Sequence, residues 1–100
     1  MKPIVIEDKG NVAFKLTIAA NEVRIKLASN ASEQERAEVI QFYTAVAARP
    51  EIQSCTKTLR GRMYSRADHD DNYFKTRLLI LQTENKDQTF RFNRSDFEGV

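Results

Sequence analysis

Basic and aromatic residues alternate along one short segment in the second half of the chain. Between Thr58 and Arg66 the sequence reads Thr-Leu-Arg-Gly-Arg-Met-Tyr-Ser-Arg. Because side chains of a β-strand point alternately to its two faces, a strand here gathers the basic and aromatic side chains on one face. They are Arg60, Arg62, Tyr64 and Arg66. Guanidinium groups bind phosphates and carboxylates by charge-assisted, bidentate hydrogen bonds. The segment therefore indicates a binding surface and not a reaction centre.

A second strand from Tyr73 to Thr83 extends this surface if the two strands form a hairpin. Pairing Arg66 with Tyr73 sets Leu59 opposite Ile80 and keeps the apolar side chains of both strands on one face. A slip by one residue would bury charge or expose apolar surface, so we favour this register. The basic face then gains four residues, one of them from a last strand at Gln88 to Asn93. They are Tyr73, Lys75, Arg77 and Arg91.

Two leucines fall on the basic face in this register. Leu79 and Leu81 alternate with Leu78 and Ile80, so the strand is apolar on both sides at this end. Strands of that kind are usually covered on both faces. We expect the tail with Phe97, a partner protein or a second copy of the chain to cover them, which makes them a possible homodimer contact.

The first half of the chain predicts strands followed by a helix. Ile4 to Glu7 is a short strand that ends in a turn at Asp8 to Asn11. Strands at Val12 to Ala19 and Glu22 to Ala28 alternate cleanly, and a two-residue loop between them sets Ile18 opposite Val23. Ser32 to Arg49 has helical periodicity, because its apolar residues recur on one stripe. Ser32 and Glu35 have the spacing of a capping box, and Pro50 ends the helix.

These elements predict a single α+β domain over residues 1–100. We expect an antiparallel sheet, in the order βββ-α-βββ along the chain, with one long helix on its apolar face. The pattern leaves open whether the strands form one six-stranded sheet or two smaller ones. In one sheet, Lys15, Arg24 and Lys26 would extend the positive surface. The predicted core is Phe14, Leu16, Ile18, Val23, Ile25, Val39, Ile40, Tyr43, Leu59, Met63, Phe74, Leu78, Ile80, Phe90 and Phe92.

Composition narrows the class of protein further. The chain has 100 residues, 41% of them hydrophobic and 30% charged, which is typical of a globular domain. The formal net charge of +2 does not by itself indicate nucleic acid, but the positive excess lies in the second half of the chain. A single cysteine, with no apolar leader or membrane-length segment, favours the cytoplasm.

Other chemistries find little support. The turn Asp68-His69-Asp70-Asp71 carries metal-ligand side chains, but consecutive turn residues rarely converge on one ion, and turns favour aspartate for backbone reasons. Cys55 would need a base to act as a nucleophile, and His69 is the sole histidine. A buried structural cysteine fits better. We expect no enzyme activity, metal or cofactor.

The sequence therefore favours a small non-catalytic binding module, of bacterial or mobile-element character. The leading hypothesis is that the basic and aromatic face binds single-stranded nucleic acid or RNA, with arginines on phosphates and tyrosines stacked on bases. The alternative is a protein-binding inhibitor, such as an immunity or anti-defence protein, that docks on an acidic partner surface. A third interpretation is a solvated sheet face whose arginines lie over Leu79 and are neutralised by the acidic turn.

Overall fold

One sheet of six strands carries a single main helix on one of its faces. The computed structural model describes residues 1–11, 13–64 and 78–98. The elements are β1 (Ile4–Asn11), β2 (Ala13–Ile18), β3 (Val23–Ala28), α1 (Glu33–Ala47), α2 (Pro50–Gln53), β4 (Leu59–Tyr64), β5 (Leu78–Thr83), β6 (Thr89–Asn93) and a 3-10 helix (Arg94–Phe97). The strand order across the sheet is β1-β3-β2-β4-β5-β6. The predicted α+β class is confirmed, and the question of one sheet or two is resolved in favour of one.

The hairpin of β2 and β3 has the predicted register. Ile18 pairs with Val23 and Leu16 with Ile25, and the Ala19 amide donates to the Glu22 carbonyl at 2.8 Å to close the two-residue loop. These four apolar side chains are fully buried. A slip by one residue would turn them to the opposite face, so burial fixes the pairing.

The first strand departs from the prediction in direction and in length. β1 lies parallel to β3 at the edge of the sheet, so the sheet is mixed and not purely antiparallel. The predicted turn at Asp8 to Asn11 is instead a continuation of the strand, with an irregular register between Asp8 and Asn11. Gly10 lies in this irregularity with a φ of 64°. Glycine reaches that conformation without steric cost, which is how a bulge is accommodated within a strand.

Helix α1 begins where the sequence predicts and ends at Ala47, two residues before the predicted end at Arg49. The Ser32 hydroxyl accepts from the Glu35 amide at 3.1 Å, which satisfies one of the unpaired donors of the first turn. Pro50 follows the end of α1, and it is also the first residue of the short helix α2. The buried stripe of α1 packs on the sheet, and Tyr43 within it donates from its hydroxyl to the Phe14 carbonyl at 3.2 Å.

The second hairpin has a different register from the predicted one. Leu59 pairs with Thr83 and not with Ile80, a displacement of three residues. An odd displacement exchanges the two faces of β5. Leu79 and Leu81 are consequently fully buried beneath the helix, while Leu78 and Ile80 are 41% and 37% exposed.

Most of the predicted core is confirmed, with two errors that share this cause. Leu78 and Ile80 were expected inside and lie on the open face, whereas Leu79 and Leu81 were expected on the open face and lie inside. Phe92 is buried as predicted, since it pairs with Leu79. Ile40 and Phe90 are partly buried against the core, and the predicted core residue Phe74 lies outside the described residues.

The chain's end is held against the helix. The 3-10 helix brings Phe97 to 5.4 Å from Phe42 and 6.0 Å from Phe92, measured between ring centroids. Beside it, the nearly buried Arg94 forms an ion pair with Glu38 of α1. Phe97 was one of the groups proposed to cover Leu79 and Leu81; it packs instead on the aromatic side chains at the helix.

Candidate functional site

Cationic side chains line up across the sheet on the face that α1 leaves open. In β2, Lys15 pairs with Lys26 of β3 on one side and with Arg62 of β4 on the other. Adjacent strands lie about 4.8 Å apart, so three positive residues occupy neighbouring positions in one transverse row. Like charges directly opposite each other destabilise a sheet. The row is therefore an arrangement that an anionic ligand would stabilise.

A groove lies next to this row, between β2 and β6. Its volume is about 710 Å³. The two partly exposed apolar side chains of β5, Leu78 and Ile80, lie between the flanking basic residues of β4 and β6. Ile80 pairs directly with Arg91. The lining residues are Lys15, Thr17, Arg60, Gly61, Arg62, Leu78, Ile80, Gln82 and Arg91. We call this set the basic groove.

The backbone of β4 comes unusually close to β5 at one lining residue. A Cβ placed on Gly61 would lie 2.6 Å from the Ile80 carbonyl oxygen and 2.9 Å from Cδ1 of Leu79. A side chain at position 61 would have to displace backbone, so glycine is required there. The side chain that occupies this space is that of Leu79.

Among the described residues, none that lines the basic groove is acidic. Within residues 1–11, 13–64 and 78–98, no carboxylate forms an ion pair with Lys15, Lys26, Arg60 or Arg91. Lys15, Arg60 and Arg91 therefore bring positive charge to the groove that no carboxylate of these ranges pairs with.

Charge is neutralised at both margins of the open face. Arg24 was expected to extend the positive surface, but its guanidinium lies 2.7 Å from Glu7 and 3.1 Å from Glu22. The hydrogen bond and the negative charge of Glu22, with the charge of Glu7, raise the pKa of Arg24. At the other margin Lys57 lies 2.7 Å from Asp87. Arg24 and Lys57 are therefore neutralised by carboxylates of their own chain, unlike Lys15, Arg60 and Arg91 of the groove.

Three of the eight predicted binding residues meet in the groove, namely Arg60, Arg62 and Arg91. The backbone of Tyr64 pairs with Ala13 at the end of β4. The predicted residues Arg66, Tyr73, Lys75 and Arg77 lie outside the described residues. Leu79 and Leu81, the possible dimer contact, are buried within the chain and have no surface to offer a second copy.

Sequence reasoning missed the apolar centre of the groove. Leu78 and Ile80 were assigned to the core, because a run of four apolar residues gives no indication of which alternate pair is buried. The sequence places Lys15 at the site only if β2 pairs with β4, because that pairing sets Lys15 beside Arg62. No local pattern in either strand predicts that pairing.

Other candidate chemistries gain nothing from the structure. The Cys55 thiol is buried and lies 3.5 Å from the Lys57 carbonyl and 3.6 Å from Oε1 of Gln88, which is the environment of a structural cysteine. No cluster of three or more metal-ligating side chains occurs among the described residues, and the turn at 68–71 lies outside them. None of the helices in the described ranges has the length and apolarity needed to cross a bilayer.

Comparisons of the chain with protein-family models, curated proteins and solved structures give no match.

Proposed function

We propose that this protein is a non-catalytic binding module whose basic groove binds single-stranded nucleic acid, DNA or RNA. One observation supports the proposal above all others. Lys15, Arg60, Arg62 and Arg91 line a single groove, and no acidic residue lines it in the part of the chain that the structure describes. Phosphate contacts by lysine and arginine supply most of the affinity of sequence-independent nucleic-acid binding.

The shape of the groove suits a single strand better than a duplex. The groove lies on an open sheet face, and β-sheets bind unpaired nucleotides by presenting cations to phosphates and flat or apolar side chains to bases. In the proposed complex, Lys15, Arg60 and Arg62 on one side and Arg91 on the other bind phosphates. Leu78 and Ile80 between them contact the bases, and Tyr64 and Tyr73 are proposed to stack.

The experiment is a titration of a fluorescently labelled oligonucleotide at several salt concentrations, followed by anisotropy. Four phosphate contacts predict a slope of about −3 in a plot of log affinity against log salt, from about −0.7 per contact on single strands. Arg60→Gln should weaken binding and reduce the magnitude of that slope by about 0.7. Arg49→Gln is the matched control, because Arg49 is exposed outside the groove and paired with Glu51.

Two results would contradict the proposal. One is the absence of binding at low salt. The other is an equal effect of Arg60→Gln and Arg49→Gln, since that would indicate a diffuse attraction by net charge without a site.

A second candidate function is favoured by the apolar centre of the same groove. In many protein interfaces an apolar centre is enclosed by a polar rim. The groove has this arrangement, because cationic residues flank the exposed side chains of Leu78 and Ile80. The partner would present an acidic surface, as expected for the target of an inhibitor, immunity or anti-defence protein. We place either activity in the cytoplasm, which is compatible with a lone reduced cysteine.

The two candidates differ in whether capture of the partner is sensitive to nuclease. A protein interface should lose its partner with Ile80→Asp, because a carboxylate would enter the apolar centre opposite an acidic surface. Capture of a partner by the wild-type chain, lost with Ile80→Asp and insensitive to nuclease, would favour the protein partner. Capture that nuclease abolishes would favour nucleic acid.

A further inference from the structure

The edge strand β1 exposes apolar side chains on both of its faces. Ile4, Val5 and Ile6 are 37%, 38% and 49% exposed, and they follow one another in sequence. Within the described ranges β1 pairs with β3 on one side only and lies at the edge of the sheet. Neighbouring residues of β1 point to opposite faces, yet they are exposed together. The reason is that, within these ranges, no strand lies beside β1 on its outer side. A strand added at this edge would cover all three.

The backbone of β1 also has outward-facing hydrogen-bonding groups. The Pro3 carbonyl accepts from the Val23 amide at 2.8 Å, which places the backbone groups of residues 3, 5 and 7 toward β3. The amides and carbonyls of Ile4 and Ile6 therefore point away from the sheet. Proteins usually protect such edges with proline or lysine, and residues 4–8 contain neither. The missing amide of Pro3 lies on the side of β3 and leaves the outer edge uninterrupted.

We propose that β1 pairs antiparallel with β1 of a second copy of this chain, about a two-fold axis at Val5. Val5 then lies opposite its own copy, and Ile4 lies opposite Ile6 in both directions. The edge is complementary to itself in this register, which is why a second copy is its occupant.

The neighbouring register fits less well. A two-fold axis at Ile6 would set Glu7 opposite Val5 and Asp8 opposite Ile4, which places carboxylates against apolar side chains. Cross-strand pairs of aliphatic residues stabilise a sheet, whereas these mixed pairs do not. The sequence of the edge therefore favours the axis at Val5 over the axis at Ile6.

This pairing has a consequence for the basic groove. A two-fold axis perpendicular to the sheet joins the two sheets into one of twelve strands, with both open faces on the same side. Seven strand spacings separate β4 from β4 of the other copy, which is about 34 Å at roughly 4.8 Å each. Two grooves on one surface would bind a long ligand twice, and the second contact gains from a high effective concentration. The dimer itself does not depend on what the groove binds.

The first test is the mass of the protein in solution by light scattering after gel filtration. We expect twice the 11.5 kDa of one chain. Ile6→Lys should restore the mass of one chain, because it places charge on the outer edge without removing a hydrogen bond to β3. Gln41→Lys adds the same charge on the exposed face of α1 and should leave the mass doubled. A wild-type mass of 11.5 kDa at the highest soluble concentration would overturn the proposal.

A cysteine trap tests the register. In a Cys55→Ser background, Val5→Cys places two thiols directly opposite each other in a non-hydrogen-bonded pair, where Cα atoms lie about 4.5 Å apart, within disulfide range. Ile6→Cys places its two thiols on a diagonal, about 8 Å apart at the Cα atoms, which is too far. A cross-linked dimer with Val5→Cys and none with Ile6→Cys supports the axis at Val5. Cross-linking of Ile6→Cys alone, or of neither variant, overturns it.

Discussion

The exchange of faces in β5 can be tested by truncating two adjacent residues. Leu81 has no exposed surface, so Leu81→Ala removes three carbon atoms from the core and leaves a cavity. At about 0.8 kcal/mol per buried carbon plus a cavity term, we expect a loss of about 3 kcal/mol. Ile80 is 37% exposed on the open face. Ile80→Ala removes a similar group with no cavity, and the loss should be about 1.5 kcal/mol at most.

The assay is thermal unfolding followed by circular dichroism, with urea unfolding as a second measure. For a domain of this size 1 kcal/mol corresponds to about 4–8 °C in Tm, so Leu81→Ala should lower Tm by about 12 °C or more. The fall for Ile80→Ala should be less than half as large. Equal losses, or a greater loss for Ile80→Ala, would refute the observed register and with it the composition of the basic groove.

Three further predictions concern single contacts. Gly61→Ala should cost about 1–3 kcal/mol, because the new methyl group would press on the Ile80 carbonyl; an unchanged Tm would show that the strands can separate there. Ser32→Ala should lower the free energy of unfolding by about 1 kcal/mol with an unchanged urea m-value, since it removes the cap of α1; a loss near zero would mean that water replaces the hydroxyl. Hydrogen bonds from Lys57 and a neighbouring hydroxyl lower the pKa of Asp87 from 3.8 to about 2. A lowered pKa stabilises the fold above pH 3.8, and that stabilisation is lost as the pH falls through about 2. The Tm of wild type should therefore exceed that of Asp87→Asn at neutral pH and converge with it between about pH 4 and 2; a gap independent of pH would contradict this.

The N-terminal hairpin could be predicted because two independent signals agree. Each strand alternates strictly, and the two-residue loop leaves one pairing that buries every apolar side chain. In β5 the same reasoning could not decide which face of the strand is buried. Leu78 to Leu81 are apolar at both parities, so burying either alternate pair satisfies the pattern. The prediction placed Leu78 and Ile80 inside because the neighbouring register sets arginines such as Arg60 and Arg62 opposite them, and β4 pairs with β5 in neither of these two registers.

The place of β1 was beyond prediction for a different reason. Asp-Lys-Gly-Asn is a typical turn sequence, and the glycine does adopt a positive φ, but within a strand. Local sequence determines the backbone conformation of a residue such as Gly10. It does not determine as readily which strand pairs with which. Parallel pairing with β3 is a long-range choice that no pattern in Ile4 to Glu7 distinguishes from antiparallel pairing. The lining of the basic groove also depends on a long-range pairing, that of β2 with β4.

That pairing also determines how the chain can fold. Ile18 meets Leu59 across the middle of the sheet, and α1 lies between them in sequence. The hairpin and the helix each form from residues close in the chain, whereas β4 must close a long loop before it gains any contact with β2. Docking of β4 is therefore the slow, late event that we expect to limit the folding rate. Until it occurs, the long edge of β2 remains available to other chains, so aggregation competes with folding at this step.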